Sequence, residues 1–394
     1  MQHDCWSVWP DRGFLLSPDP LLSVRSALDG LVADDILQQI EATANDLPAL
    51  VLSERIHDVL EVLPLLDLAP VVHERDAVDF RAIERLAQIY GYFASAFVRG
   101  NPDSPQQRLP ASVAVPLVGL SALVERPPIL CYASYVLANW RRGTSAEPLH
   151  ADNMRPVQNF LGHRDESWFI LIHVEIEARA AEAVRGLNEA IESAARREPA
   201  RLEAALAAIS AGLNAMSATF QRMPEGCDTN VYYSKVRPYL FGFDGVIYEG
   251  VAAFEGRPQH FRGTTGAQSS IVPALVAGLG LRHEQNNLTH HLEALQEHMP
   301  RPHRDFLREA ANSQVRQVVS EYASRPALVE AYNDVLRRLV EFRTLHLHFA
   351  TEYIFRKVSD PRGSGGTPFM DWLKQIRDET QTQLLQPASV PRVR

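Results

Sequence analysis

EFRTLHLHFATEYI, residues 341–354, sets two histidines two positions apart within an apolar run. An α-helix turns about 100° per residue, so positions three, four and seven apart share a face. On that count His346 lines up with Leu339, Phe342, Phe349, Ala350 and Tyr353. His348 lies about 200° around, beside Glu341 and Glu352. The spacing predicts a helix with His346 in its buried stripe and His348 toward water. A buried imidazole needs a polar partner. Two readings stand at this point: a core histidine bonded to a backbone carbonyl, or a metal or haem ligand, since neutral imidazole is the commonest metal ligand.

The same periodicity runs through most of the chain. From about residue 33 it appears in ADDILQQIEATAND (33–46), DAVDFRAIERLAQIYGYFASAFVRG (76–100) and PPILCYASYVLANWRR (127–142). ESWFILIHVEIEARAAEAVRGLNEAIESAARR (166–197) reads as one helix of about thirty residues. REPARLEAALAAISAGLNAMSATFQRM (197–223) reads as its antiparallel partner, and ALVEAYNDVLRRLVEFRTLHLHFATEYIFRKV (327–358) as a third long helix. Alternating strand patterns are scarce, and no internal repeat is present. The fold class is therefore all-α. The polar, turn-rich stretch RRGTSAEPLHADN (141–153) is the linker candidate. It divides a smaller, mainly helical N-terminal domain (1–148) from a large helical domain (149–394).

Composition excludes several functions. The chain has 394 residues, 46% hydrophobic and 22% charged, with net charge −9 and both signs interspersed. That argues against a nucleic-acid or anionic-membrane surface. Cys5, Cys131 and Cys227 form no CxxC or CxxCH, which excludes a disulfide framework, a zinc ribbon and covalently attached c-type haem. No basic-then-apolar leader and no apolar run of about 20 residues is apparent. The expectation is a cytoplasmic protein.

Two Gly/Ser/Thr-rich breaks precede helices: EGRPQHFRGTTGAQSS (255–270) and SDPRGSGGTPF (359–369). They serve either as helix caps and turns or as backbone brought close to a ligand. Neither has the form of a nucleotide-phosphate loop. In WFILIHVEIEA (168–178), His173 shares a face with Phe169, Ile172 and Ile176, again a core histidine or a site residue. In VYYSKVRPYLFGF (231–243), Tyr233 and Arg237 stand one turn apart before Pro238, which bends or ends the helix. Arg237 is either a surface guanidinium or a fork for a carboxylate.

Taken together, these segments resemble the indoleamine 2,3-dioxygenase family. The resemblance rests on RGTTGAQSS with YEG upstream (248–250) and HMPRPHRDFL downstream (298–307). It rests equally on LPASVAVPLVGLSALVERPPILCYASYVLANW (109–140), EFRTLHLHFATEYI and GSGGTPFMDWLKQIRDET (363–380). The motifs occur in the family's order from about residue 109 to 384, and the first hundred residues match only loosely.

The resemblance implies an all-α enzyme holding b-type haem noncovalently between its domains and cleaving the indole C2–C3 bond of L-tryptophan with O2. The product is N-formylkynurenine, at the head of the kynurenine pathway, and an electron donor keeps the haem ferrous. His346 matches the family's proximal haem ligand, leaving the opposite face of the iron open; Arg343 matches an arginine of the family motif, and its charge suits a haem propionate or another carboxylate. Arg237 matches the arginine binding the substrate carboxylate, and Ser364 replaces a threonine in the same recognition. Thr264, Thr265 and Gly266 fall in the loop over the haem edge. Tyr132 and Phe169 match the wall around the indole.

Two departures stand out. Tyr232 and Tyr233 replace a Phe pair of vertebrate members. An ungapped alignment places His173 at a distal serine, where the related tryptophan 2,3-dioxygenases have a histidine bonding the indole N–H; a shift of two would place Leu171 there. The alternatives are a relative oxidising another indole, and a non-catalytic O2- or haem-binding protein.

Overall fold

The computed structural model describes residues 4–101, 104–144, 147–357 and 369–386. Its architecture is all-α, as expected. Three short strands, β1 (Arg108–Leu109), β2 (Phe243–Tyr248) and β3 (Gln259–Phe261), form one small sheet in the order β1-β2-β3, parallel then antiparallel.

Near the N-terminus, α1 (Asp34–Leu52) packs against α2 (Phe80–Arg99), and α2 against α3 (Ala111–Val124). The Asp79 carboxylate caps α2 by accepting the Arg81 N–H at 3.0 Å. The middle of the chain is a helical hairpin, α4 (Arg164–Ala195) and α5 (Pro199–Gln221), joined by a three-residue turn. Pro199 sits at the start of α5, where a missing N–H costs nothing. The hairpin closes tightly because its contact is made of small residues. A Cβ on Gly212 would lie 2.6 Å from the Ala183 nitrogen, and one on Gly186 would lie 2.9 Å from the Ala205 carbonyl oxygen.

Further along come α6 (Ile271–Gly278), α7 (Asn287–Leu295), α8 (Arg301–Ala310), the long α9 (Pro326–Tyr353) and α10 (Phe369–Gln381). α9 packs on α5 and α10. Leu339, Phe349, Ala350 and Tyr353 of α9 are buried and His348 is exposed, as the 341–354 spacing predicts. No helix among the described residues is long and apolar enough to cross a membrane.

Two stretches depart from the sequence reading. PPILCYASYVLANWRR is not a full helix; only Ala133–Leu137 makes a wide, π-type turn. The Asn139 side chain competes for backbone here, donating to the Tyr135 and Gln158 carbonyls and accepting the Val157 and Gln158 N–H groups. VYYSKVRPYLFGF likewise breaks into a wide turn at Tyr232–Val236 and a 3-10 turn at Arg237–Leu240, with Pro238 denying the helix its next N–H donor.

Candidate active site

α4, α5, α6, α7, α9 and α10, with the 264–270 loop and the 132–136 turn, line two adjoining chambers of about 210 and 570 Å³. Tyr132, His173, Phe220, Gly266 and His346 line both. His346 is neither in the packed core nor at the surface: its ring is half-buried because it faces the cavity. Burial, and secondarily the charge of His173, hold its pKa down at about 4. No hydrogen bond engages the ring among the described residues; its neighbour is Phe220, centroids 6.2 Å apart. A neutral, unbonded imidazole turned into a cavity is free to hold a metal, as a core histidine bonded to a carbonyl would not be. No cluster of three or more metal-ligating side chains exists among the described residues.

His173 projects from α4 into the same space. Its Nδ1 lies 2.7 Å from the Phe169 carbonyl oxygen. That oxygen only accepts, so Nδ1 carries the proton and neutral Nε2 keeps a lone pair. Burial lowers its pKa, opposed by the carbonyl bond. Leu171, the other alignment choice, is buried and is not among the lining residues. Phe169 (4.4 Å from His173, 4.6 Å from Tyr232), Tyr132 and Tyr232 complete an aromatic wall.

The loop before α6 is tied to that wall. The Thr264 hydroxyl donates to the Leu130 carbonyl, and the Tyr132 N–H to Gln268 Oε1. Thr265 caps its own turn, accepting the Ala267 N–H, and Thr265 and Gly266 line the smaller chamber. Nothing lies within 4 Å of where a Gly266 Cβ would stand, so space opens above that backbone. Glu177, one turn after His173 and 1% exposed, accepts the Tyr132 hydroxyl at 3.0 Å and the Ser269 hydroxyl at 2.7 Å. Burial raises it to about 7 against those two donors, and its Oε2 has no protein partner.

The remaining expected residues divide. Arg343 lines the larger chamber, but its guanidinium also anchors α10 by donating to the Ile376 carbonyl (2.7 Å) and the Thr380 hydroxyl. Burial lowers its pKa to about 10, and its Nε is left without a protein partner. Arg237 is 4% exposed, not a surface guanidinium, and lies over Phe241 (4.5 Å) and Tyr233 (5.3 Å). Neither Arg237 nor Tyr233 is among the lining residues. The tyrosine pair thus splits, Tyr232 facing the chamber and Tyr233 facing the arginine; burial pushes the Tyr232 phenol's pKa up, against the nearby Arg237 charge. Ser364 lies outside the described residues.

Sequence reasoning missed Glu177, Gln268, Phe220 and the lining pair His291 and Trp372, whose rings are 5.4 Å apart. Glu177 was within reach, since its four-residue spacing from His173 puts both on one face.

A family model describing indoleamine 2,3-dioxygenase matches residues 2–362. The rat indoleamine 2,3-dioxygenase 1 is 31% identical, over 87% of this chain and 88% of its own length. The indoleamine 2,3-dioxygenase of Saccharomyces cerevisiae is 28% identical over 95% and 92%. A 6-hydroxytryptophan 2,3-dioxygenase of Fusarium equiseti is 26% identical over 87% and 90%. The chain belongs to the indoleamine 2,3-dioxygenase family and is an oxidoreductase of that class.

Proposed function

We propose that this protein is a haem-dependent dioxygenase that opens the indole C2–C3 bond of L-tryptophan with O2, giving N-formylkynurenine at the head of tryptophan catabolism. The observation that carries the reading is that His346 and His173, both neutral, face one cavity of a size suited to a cofactor with its substrate.

The residues present fit haem. His346 would hold the iron; Arg343, through its unpartnered Nε, and the Thr264–Thr265–Gly266 backbone would border the cofactor's edge. When bound, haem would supply redox-active iron for O2 chemistry, kept ferrous by an external electron donor. The rest of the chemistry assigned to the protein is placement. Phe169, Tyr132 and Tyr232 form the wall against which an indole packs. His173 Nε2 accepts the indole N–H, orienting the ring and holding that proton in a hydrogen bond. Arg237, buried outside the chamber lining over Tyr233 and Phe241, and Ser364 are assigned to the substrate carboxylate. The apolar lining excludes water, and residues 1–148 act as the domain covering the distal side.

A second reading has its own support. Tyr232 adds a hydroxyl to the chamber lining, and a relative carries the name 6-hydroxytryptophan 2,3-dioxygenase. A substituted indole is therefore the alternative substrate.

Haem titration tests the proposal. The wild type should bind one haem per chain and give a ferrous–CO complex. His346→Ala should lose haem or hold it weakly. A variant with full haem content and an unchanged ferrous–CO spectrum would remove His346 as the ligand.

A further inference from the structure

We infer that Glu177 is a positioning residue of the indole pocket: its carboxyl is a clasp that fixes the Tyr132 ring to the 264–270 loop. The inference rests on the reading of the cavity as an indole site and goes beyond it by assigning a residue to pocket shape.

Three connections join the loop to the 130–132 segment, and they differ in kind. Thr264 donates to the Leu130 carbonyl, and Gln268 accepts the Tyr132 N–H. Both hold the 130–132 backbone and leave the Tyr132 side chain free to turn about its χ angles. The third runs through Glu177, whose Oε1 accepts both the Tyr132 and the Ser269 hydroxyls. It holds the far end of the ring, where the Ser269 hydroxyl also meets the Tyr132 hydroxyl. Tyr132 stands nearly edge-on to His173, 6.4 Å between centroids at 81°. Its tilt therefore sets the space left for a flat substrate beside the distal imidazole.

The site is built rather than incidental. Glu177 is 1% exposed, and two hydroxyls converge on one oxygen while the other faces no protein partner. A carboxyl is costly to bury, and a leucine of similar size would pack there without that cost. The rigid α4 carries both His173 and Glu177 one turn apart, so the distal imidazole and the clasp share one frame, the arrangement that keeps a site's geometry tight.

The test compares Glu177→Gln, Glu177→Leu, Ser269→Ala and Tyr132→Phe as holoenzymes. Glutamine keeps a carbonyl oxygen for both hydroxyls, so its KM for L-tryptophan should stay within about threefold of wild type. Leucine removes the clasp and should raise KM roughly tenfold or more, with kcat within about twofold and haem content unchanged. Ser269→Ala and Tyr132→Phe each break one arm and should move KM the same way by a smaller factor. They also carry the test if the leucine variant fails to fold. Hydrogen exchange of residues 263–270 should quicken in Glu177→Leu and Ser269→Ala but not in Glu177→Gln.

An unchanged KM in the arm variants, or glutamine behaving as leucine does, would overturn the clasp. So would a loss confined to haem content and stability. If the holoenzyme turns over no indole, the proposed function falls while hydrogen exchange still decides whether the clasp exists.

Discussion

His346 and His173 are the same side chain in the same cavity, and their hydrogen bonds separate them. His173 is committed at Nδ1 to the Phe169 carbonyl and keeps one lone pair for a ligand. His346 has no such commitment, which suits a ring that coordinates. Arg237 poses a different question, because its guanidinium lies among aromatic rings behind the wall rather than in it. If it binds the substrate carboxylate, Arg237→Leu should leave haem binding intact. It should lower kcat/KM for L-tryptophan by roughly 30-fold or more, the effect of losing a buried charge-assisted contact worth about 2–5 kcal/mol. Steady-state kinetics on the haem-loaded variant check this; an unchanged kcat/KM would move carboxylate recognition elsewhere. The helical period was enough to place His346 inward and His348 outward. It could not distinguish ligand from core residue, because that depends on what stands opposite.

At the scale of elements, the long helices were legible because their apolar period persists over many turns. The 166–197 and 197–223 readings correspond to α4 and α5 with ends shifted by two residues. What failed was the short polar exception: Asn139 unwinds the 127–142 stretch through side-chain bonds no periodicity count includes. The α4–α5 contact depends on absent side chains. Gly212→Ala would drive a methyl to 2.6 Å from the Ala183 backbone. We expect a loss of about 1–3 kcal/mol in chemical denaturation, an overpacking effect. Gly256→Ala offers a contrast, with nothing within 4 Å of the added methyl but φ at +68°. It should cost stability through backbone strain alone, without disturbing the hairpin or the chambers it helps enclose.

For the molecule as a whole, the cavity is assembled from segments far apart in sequence. Tyr132, His173, Gly266, His346 and Trp372 meet only after folding. Composition argued against a nucleic-acid surface and the cysteine spacing against a disulfide framework or zinc ribbon, yet no spacing rule brings those five residues together. The resemblance in motif order supplied the grouping, and the structure supplied its geometry, including Glu177, which no motif had singled out. The central claim is that this cavity inserts both atoms of O2 across an indole double bond. Mass spectrometry of the product formed by reduced, haem-loaded protein from L-tryptophan and labelled O2 tests it most directly. The account predicts N-formylkynurenine carrying two labelled oxygens; a product with one labelled oxygen, or a stable oxygen complex with no turnover, would contradict it.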